Sequence, residues 1–161
     1  MVSFSQKEIV VRTTTCFSTV SQPSAAHFLF ASQSSLSNFS ACKKHILLVE
    51  DNPLLQHIHS LWLEQLGYEV TVVSSGEAAL QKIMSDYNAV LMDLDLPGDD
   101  GITTTQKLLK KNPLLNLPVI ACTSHPEADM KNACLSAGMA GYLQKPISPV
   151  RLAHILTTHL I

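Results

Sequence analysis

The segment VLMDLDLPGDDG holds four aspartates, Asp93, Asp95, Asp99 and Asp100, directly after the apolar run Ala89-Val90-Leu91-Met92. That run is apolar enough to be buried on both faces, so an aspartate at its end costs desolvation unless something offsets it. Other apolar runs end in the same way. HILLV is followed by Glu50-Asp51, LPVIAC by Thr123, and MAGYLQ by Lys145 and Pro146. Carboxylates brought to one place repel each other unless a cation joins them. Oxygen donors with room for water suit Mg²⁺, a hard ion. A lysine would neutralise charge and hold an anion, and a threonine hydroxyl would donate a hydrogen bond. Carboxylates, a divalent metal, an ammonium and a hydroxyl are the parts of a site for phosphoryl transfer onto an aspartate, where positioning and electrostatics carry the catalysis.

The elements that must position these groups can be read from Lys44 onward. Five apolar, β-prone runs alternate with five helical ones: HILLV, YEVTVV, YNAVLMD, LPVIACT and MAGYLQK against PLLQHIHSLWLEQLG, SGEAALQKIMSD, GITTTQKLLKK, PEADMKNACLSAG and SPVRLAHILTTHL. The first helix has Pro53 for its first turn, Gly67 for its C-terminal cap, and an apolar stripe through Leu54, Leu55, Ile58, Leu61, Trp62 and Leu66. Ser74 or Ser75 caps the second and Gly138 closes the fourth. Asp100 is placed to cap the third. Strands apolar on both faces, alternating with helices, predict a parallel sheet covered on both sides. In such a sheet the chemistry sits at the carboxyl ends of the strands, where the residues above fall.

Composition narrows the classes further. Residues 44–161 carry twelve acids and eight bases, and the whole chain has a formal charge of −2. A mildly acidic body does not suit nucleic-acid binding. No apolar run reaches the roughly 20 residues that span a bilayer. Cys16, Cys42, Cys122 and Cys134 lack metal-ligand spacing; Cys122 and Cys134 read as small core residues in a reducing, cytoplasmic setting. Residues 1–43 differ: ten serines, four threonines and a single acid. Ile9–Val11 and Phe17–Val20 would suit a short hairpin, and Phe28–Phe30 forms a brief apolar patch. The rest reads as linker, either a flexible tail or the ragged end of a longer chain, with a faint likeness to a transit peptide.

In order and at strand ends, these residues resemble the receiver domains of bacterial response regulators, over residues 45–158. The resemblance implies a doubly wound α/β fold with five parallel strands in the order 2-1-3-4-5. It implies that Asp93 is the phosphoacceptor, taking a phosphoryl group from the phosphohistidine of a sensor kinase or a histidine phosphotransfer protein. Mg²⁺ would be held by Asp51, Asp93 and the backbone carbonyl of Asp95, with Glu50 acting largely through water. Lys145 and Thr123 would bind phosphoryl oxygens, with Lys145–Pro146 as the family's cis peptide. Thr123 moving inward would let Tyr142 change rotamer and reshape the surface of the fourth helix, fifth strand and fifth helix for a downstream protein target. Pro97 and Gly101 match the loop positions of the family.

On this reading residues 44–161 form the receiver and residues 1–43 an extension. The chain is then a switch rather than an enzyme in the ordinary sense, either alone or as part of a hybrid histidine kinase. A pseudo-receiver that binds partners without phosphorylation is the alternative. Haloacid-dehalogenase-type phosphatases also form an aspartyl phosphate, but on the first strand of a larger domain. Two positions depart from common members: Asp95 and His125, each two residues past a site residue. They are expected to lie on opposite rims and to steer or exclude the water that removes the phosphoryl group, or to be plain loop residues. His57, His59, His154 and His159 are expected on helix surfaces.

Overall fold

The computed structural model describes residues 43–160. The proposed hairpin, the Phe28–Phe30 patch, the linker, Cys16 and Cys42 lie outside the described residues. Five strands, β1 (His45–Val49), β2 (Glu69–Val73), β3 (Ala89–Asp93), β4 (Val119–Thr123) and β5 (Gly141–Gln144), form one parallel sheet in the order β2-β1-β3-β4-β5. The expected topology is therefore present. Five helices connect them: α1 (Pro53–Gln65), α2 (Gly76–Leu80), α3 (Gly101–Lys111), α4 (Glu127–Ser136) and α5 (Pro149–His159).

The central strands β3 and β4 are buried throughout, as their unbroken apolar sequences require. Side chains alternate across the sheet with period two. Leu47, Val49, Val90, Met92, Val119 and Ala121 face one core, shared with Ala79 of α2, Leu108 of α3 and Cys134 of α4. Ile46, Leu48, Leu91, Ile120 and Cys122 face the other, shared with Leu63 of α1 and Leu152 and Leu156 of α5. Full burial of one such leucine or isoleucine stabilises the fold by about 1.5–3 kcal/mol.

Helix starts are set by side-chain caps. Asn52 accepts from Leu54 and Leu55, Ser75 from Ala78, Asp100 from Thr103 and Ser148 from Arg151. Each satisfies a backbone N–H that the first turn leaves without a partner. Gly67 and Gly138, at φ of 90° and 89°, end α1 and α4 in the left-handed region that glycine adopts freely.

Two expectations fail here. The second helix does not run through SGEAALQKIMSD; it stops at Leu80, and a short 3-10 turn follows at Met84–Asp86. Ala79 and Met84 are both core residues. Five positions apart, they would point about 140° away from each other on one continuous helix. Breaking the helix lets both face inward. On α1 the leucine stripe is not the buried face: Leu54 is 65% exposed and Leu61 43%, while His59 and Leu63 are the buried residues. His59 is thus a core residue of α1 and not a surface one, because the face turned to the sheet runs through His59 and Leu63.

Candidate functional site

The carboxyl edge of the sheet gathers the residues that the sequence marks out. Glu50 and Asp51 leave β1, Asp93 ends β3, Thr123 ends β4, and Lys145 follows β5. Main-chain bonds fix these exits: Glu50 N donates to Val73 O at 3.1 Å, Leu94 N to Cys122 O at 3.0 Å, and Lys145 N to Thr123 O at 2.7 Å. Lys145–Pro146 is cis. Gly101 allows α3 to begin hard against β3, since a Cβ there would come within 2.1 Å of the Asp93 carbonyl oxygen.

Carboxylate oxygens of Glu50, Asp51 and Asp93 lie within 4.8 Å of one another. Glu50 and Asp93 are almost wholly buried, whereas Asp51 is exposed. The lysine joins the buried pair: Lys145 Nζ is 2.7 Å from Asp93 Oδ2 and 2.9 Å from Glu50 Oε2. Burial raises the Glu50 carboxyl above its ordinary range, its bond to Lys145 pulls it back, and the Asp93 charge raises it again. Burial works to lower the Lys145 ammonium, but its bonds to Asp93 and Glu50 and their charges prevail, and it is raised. The ammonium therefore stays protonated through the physiological range. Two buried carboxylates against one ammonium leave negative charge over, and Asp51 adds to it at the mouth. An oxygen-only donor set of this charge fits a hard divalent cation.

Thr123 is fully buried, and its hydroxyl is already engaged: Oγ1 lies 3.1 Å from His125 Nδ1 and accepts the His125 main-chain N–H at 3.1 Å. The ring of His125 also stands 3.4 Å from Asp95 Oδ1. Asp95 and His125 are thus in contact across the mouth rather than on separate rims, because the loops after β3 and β4 come together. Tyr142, half-buried on β5, donates its hydroxyl to the His125 carbonyl. One residue therefore ties Thr123, Tyr142 and Asp95 together. Asp95 N donates to Asp93 Oδ1 at 3.1 Å, so the loop also orients the Asp93 carboxylate. Asp100 is the cap of α3, and Asp99 pairs with Lys107 away from the acidic cluster.

Sequence reasoning missed one residue near this edge. His59 of α1 lies on the wall of a groove of about 410 Å³ whose other lining residues include Trp62, Lys145 and Pro146. Its only sequence signal is a position four residues before Leu63 on the same helical face.

Comparison with known proteins agrees with this geometry. Residues 46–157 match the response regulator receiver domain. The chain is 36% identical over 115 residues to the sensor protein GacS of Pseudomonas syringae pv. syringae, covering 69% of this chain and 13% of that protein. It is 33% identical over 112 residues to the signal transduction histidine-protein kinase BarA of Escherichia coli K12, covering 69% and 12%. The chain thus spans about an eighth of the length of these relatives. The receiver domain of the sensor histidine kinase PA1611 from Pseudomonas aeruginosa PAO1, solved with a magnesium ion coordinated in its active-site cleft, superposes with a TM-score of 0.66 at 36% identity. That match covers 73% of this chain and 98% of that one. A putative response regulator from Chloroflexus aurantiacus J-10-fl gives a TM-score of 0.69 at 32% identity, covering 73% and 98%.

The chain belongs to the response regulator receiver family of two-component signalling and is homologous to the receiver domains of hybrid histidine kinases. Among the described residues no helix is long and apolar enough to cross a membrane.

Proposed function

We propose that residues 44–161 act as a phosphorylation-controlled switch with Asp93 as the phosphoacceptor. The observation that carries this reading is the convergence of three carboxylates and one lysine at the carboxyl edge of the sheet, with Asp93 bonded to that lysine. In the reaction an Asp93 oxygen attacks the phosphorus of a phosphohistidine on a sensor kinase or phosphotransfer protein. The P–O bond forms as the P–N bond breaks, and the released imidazole takes a proton from solvent. The chain supplies the acceptor and a charged pocket and returns the phosphoryl group to water, which makes it a switch with no turnover of its own on another substrate.

Glu50, Asp51 and Asp93, with the backbone carbonyl of Asp95, fit Mg²⁺, which when bound would neutralise charge between acceptor and phosphoryl group. Lys145 is held at the acceptor by Asp93 and Glu50, ready to exchange a carboxylate for a phosphoryl oxygen. Thr123 Oγ1 accepts the His125 main-chain N–H and keeps its own hydroxyl hydrogen to donate to the phosphoryl group. Since Tyr142 donates to the carbonyl of the same histidine, a shift of Thr123 is passed to Tyr142 through the β4–α4 loop. The surface of α4, β5 and α5 then changes for a downstream protein. Residues 1–43 are an extension to this unit.

Intact-mass measurement after incubation with acetyl phosphate and Mg²⁺ tests the proposal. The expected result is a gain of about 80 Da, one phosphoryl group, absent in Asp93→Asn and absent without the metal. A folded, metal-binding wild type that gains nothing would replace this reading with a constitutive interaction module.

A further inference from the structure

The outward face of α1 is apolar where a surface helix is ordinarily polar. Leu54 is 65% exposed and Leu61 43%, with half-buried Ile58 between them and exposed Gln65 beyond. Successive residues of a helix are turned by about 100°. Leu54, Ile58, Leu61 and Gln65 therefore fall in one narrow strip, roughly 150° round the helix from the buried pair His59 and Leu63. Their alternating steps of four and three residues are those of a coiled-coil seam. An exposed apolar strip of this kind marks an interaction surface.

The two flanks of the strip differ in character. On one side Leu55 and Trp62 are half-buried and line the groove that also holds Lys145 and Pro146. On the other side His57 and Glu64 are exposed, and their side chains form no hydrogen bond or ion pair among the described residues. Such flanking positions decide which helix a seam accepts and in which direction. A second α1 laid antiparallel, with a two-fold axis between His59 and Ser60, sets Ile58 against Leu61 of the second copy and Leu54 against its Gln65. Each flank then meets its own kind, and each contact occurs twice, as two-fold symmetry requires. Leu55 packs on Trp62 of the second copy, and His57 donates a ring N–H to the carboxylate of its Glu64. A parallel pair would set His57 against Trp62 and leave Glu64 with nothing to accept from.

We propose that α1 is a self-association surface: two copies of this chain pair through Leu54, Ile58 and Leu61 as antiparallel helices, with reciprocal His57–Glu64 contacts fixing the register. The seam is about 17 Å long, short for the roughly 800 Å² that each partner buries in a stable complex, so the dimer is weak and reversible. Pairing covers the groove in whose wall Lys145 and Pro146 lie, and so sets the second copy beside the edge of the sheet that carries the acidic cluster.

Sedimentation equilibrium of the full chain, from about 5 to about 500 µM, tests the proposal together with the emission of Trp62, the chain's one tryptophan. Wild type should pass from monomer to dimer over this range, with Trp62 emission moving to the blue as the ring is covered. Leu61→Glu and Leu54→Glu alter exposed side chains and should stay folded by circular dichroism yet monomeric throughout. His57→Glu sets carboxylate against carboxylate and should weaken association about ten-fold. Adding Glu64→Lys to it should restore wild-type association. Positions 57 and 64 stand about 10 Å apart on one helix, so this rescue acts between copies. A wild type that stays monomeric throughout overturns the proposal and leaves the face to a helix of a different protein. Dimerisation of Leu61→Glu as strong as that of wild type places the interface elsewhere and overturns it too. A double variant as weak as His57→Glu alone refutes the antiparallel register.

Discussion

The two edges of the sheet are built from similar residue types and put to opposite use. At the amino edge, the His45 N–H donates to Asn88 Oδ1 at 2.7 Å, His45 Nε2 meets Thr71 Oγ1 at 2.8 Å, and its ring rests 4.6 Å from that of Tyr87. Lys44 there donates to the Leu160 carbonyl. Every one of these polar groups ends its hydrogen bond on a neutral neighbour. At the carboxyl edge, carboxylates face carboxylates, and a single ammonium stands between the two buried ones. The first arrangement seals the ends of strands. The second leaves charge unbalanced, and what is unbalanced is free to bind. A functional edge of a parallel sheet is recognised less by being polar than by having polar groups that do not satisfy one another.

Substitutions at the two edges should therefore separate function from stability. The largest effect is expected for Asp93→Asn, which should abolish the phosphoryl adduct in the mass spectrum while leaving the fold intact. Next comes Lys145→Ala. It leaves Glu50 and Asp93 buried without their cation, at a cost of about 3–5 kcal/mol, and chemical denaturation should show a smaller loss with Mg²⁺ than with chelator. Equal losses with and without metal would mean that the carboxylates do not share a cation site. At the amino edge, Asn88→Ala should cost about 1 kcal/mol in denaturation and leave the phosphorylation rate as in wild type.

His125→Ala should have a smaller effect, on lifetime rather than on formation. Removing the ring that spans Asp95 and Thr123 opens the mouth to water, so autodephosphorylation should speed up by about three-fold; an unchanged rate would make the pair plain loop residues. The smallest effect concerns acid stability. The folded-state value of His59 lies below its unfolded value of 6.5, so the native state binds fewer protons than the unfolded one. Stability is then full above about pH 6.5 and falls as pH drops from there through the folded value. Melting curves of His59→Leu should fall less steeply than wild type over that window.

Much of this was readable in the sequence, for a physical reason. Strand ends of a buried parallel sheet allow few charged residues, so Glu50, Asp51, Asp93 and Lys145 stand out against apolar runs. Helix ends followed from local chemistry at Ser75, Asp100, Gly67 and Gly138, whereas the strand order came with the family resemblance. What was not readable depended on rotation or on contacts between distant loops. Leucines on α1 outnumber His59 and Leu63, and composition alone favours the wrong face. The break in α2 answers to the depth of Met84 in the core, which periodicity does not register. The meeting of His125 with Asp95 joins two loops on different strands, and no local pattern specifies it.

Gly101 has one more consequence. Its Cα stands where a single added carbon would strike the main chain of Asp93, and its N–H is bonded to Leu94 O at 3.2 Å. The first turn of α3 is thereby wedged against β3, which lies at the centre of the sheet. The backbone of Asp93 acts as a stator. On the proposed reading, movement on phosphorylation would fall to the β4 and β5 side, where His125 joins Thr123 to Tyr142, and a message written on a fixed strand would leave on one flank.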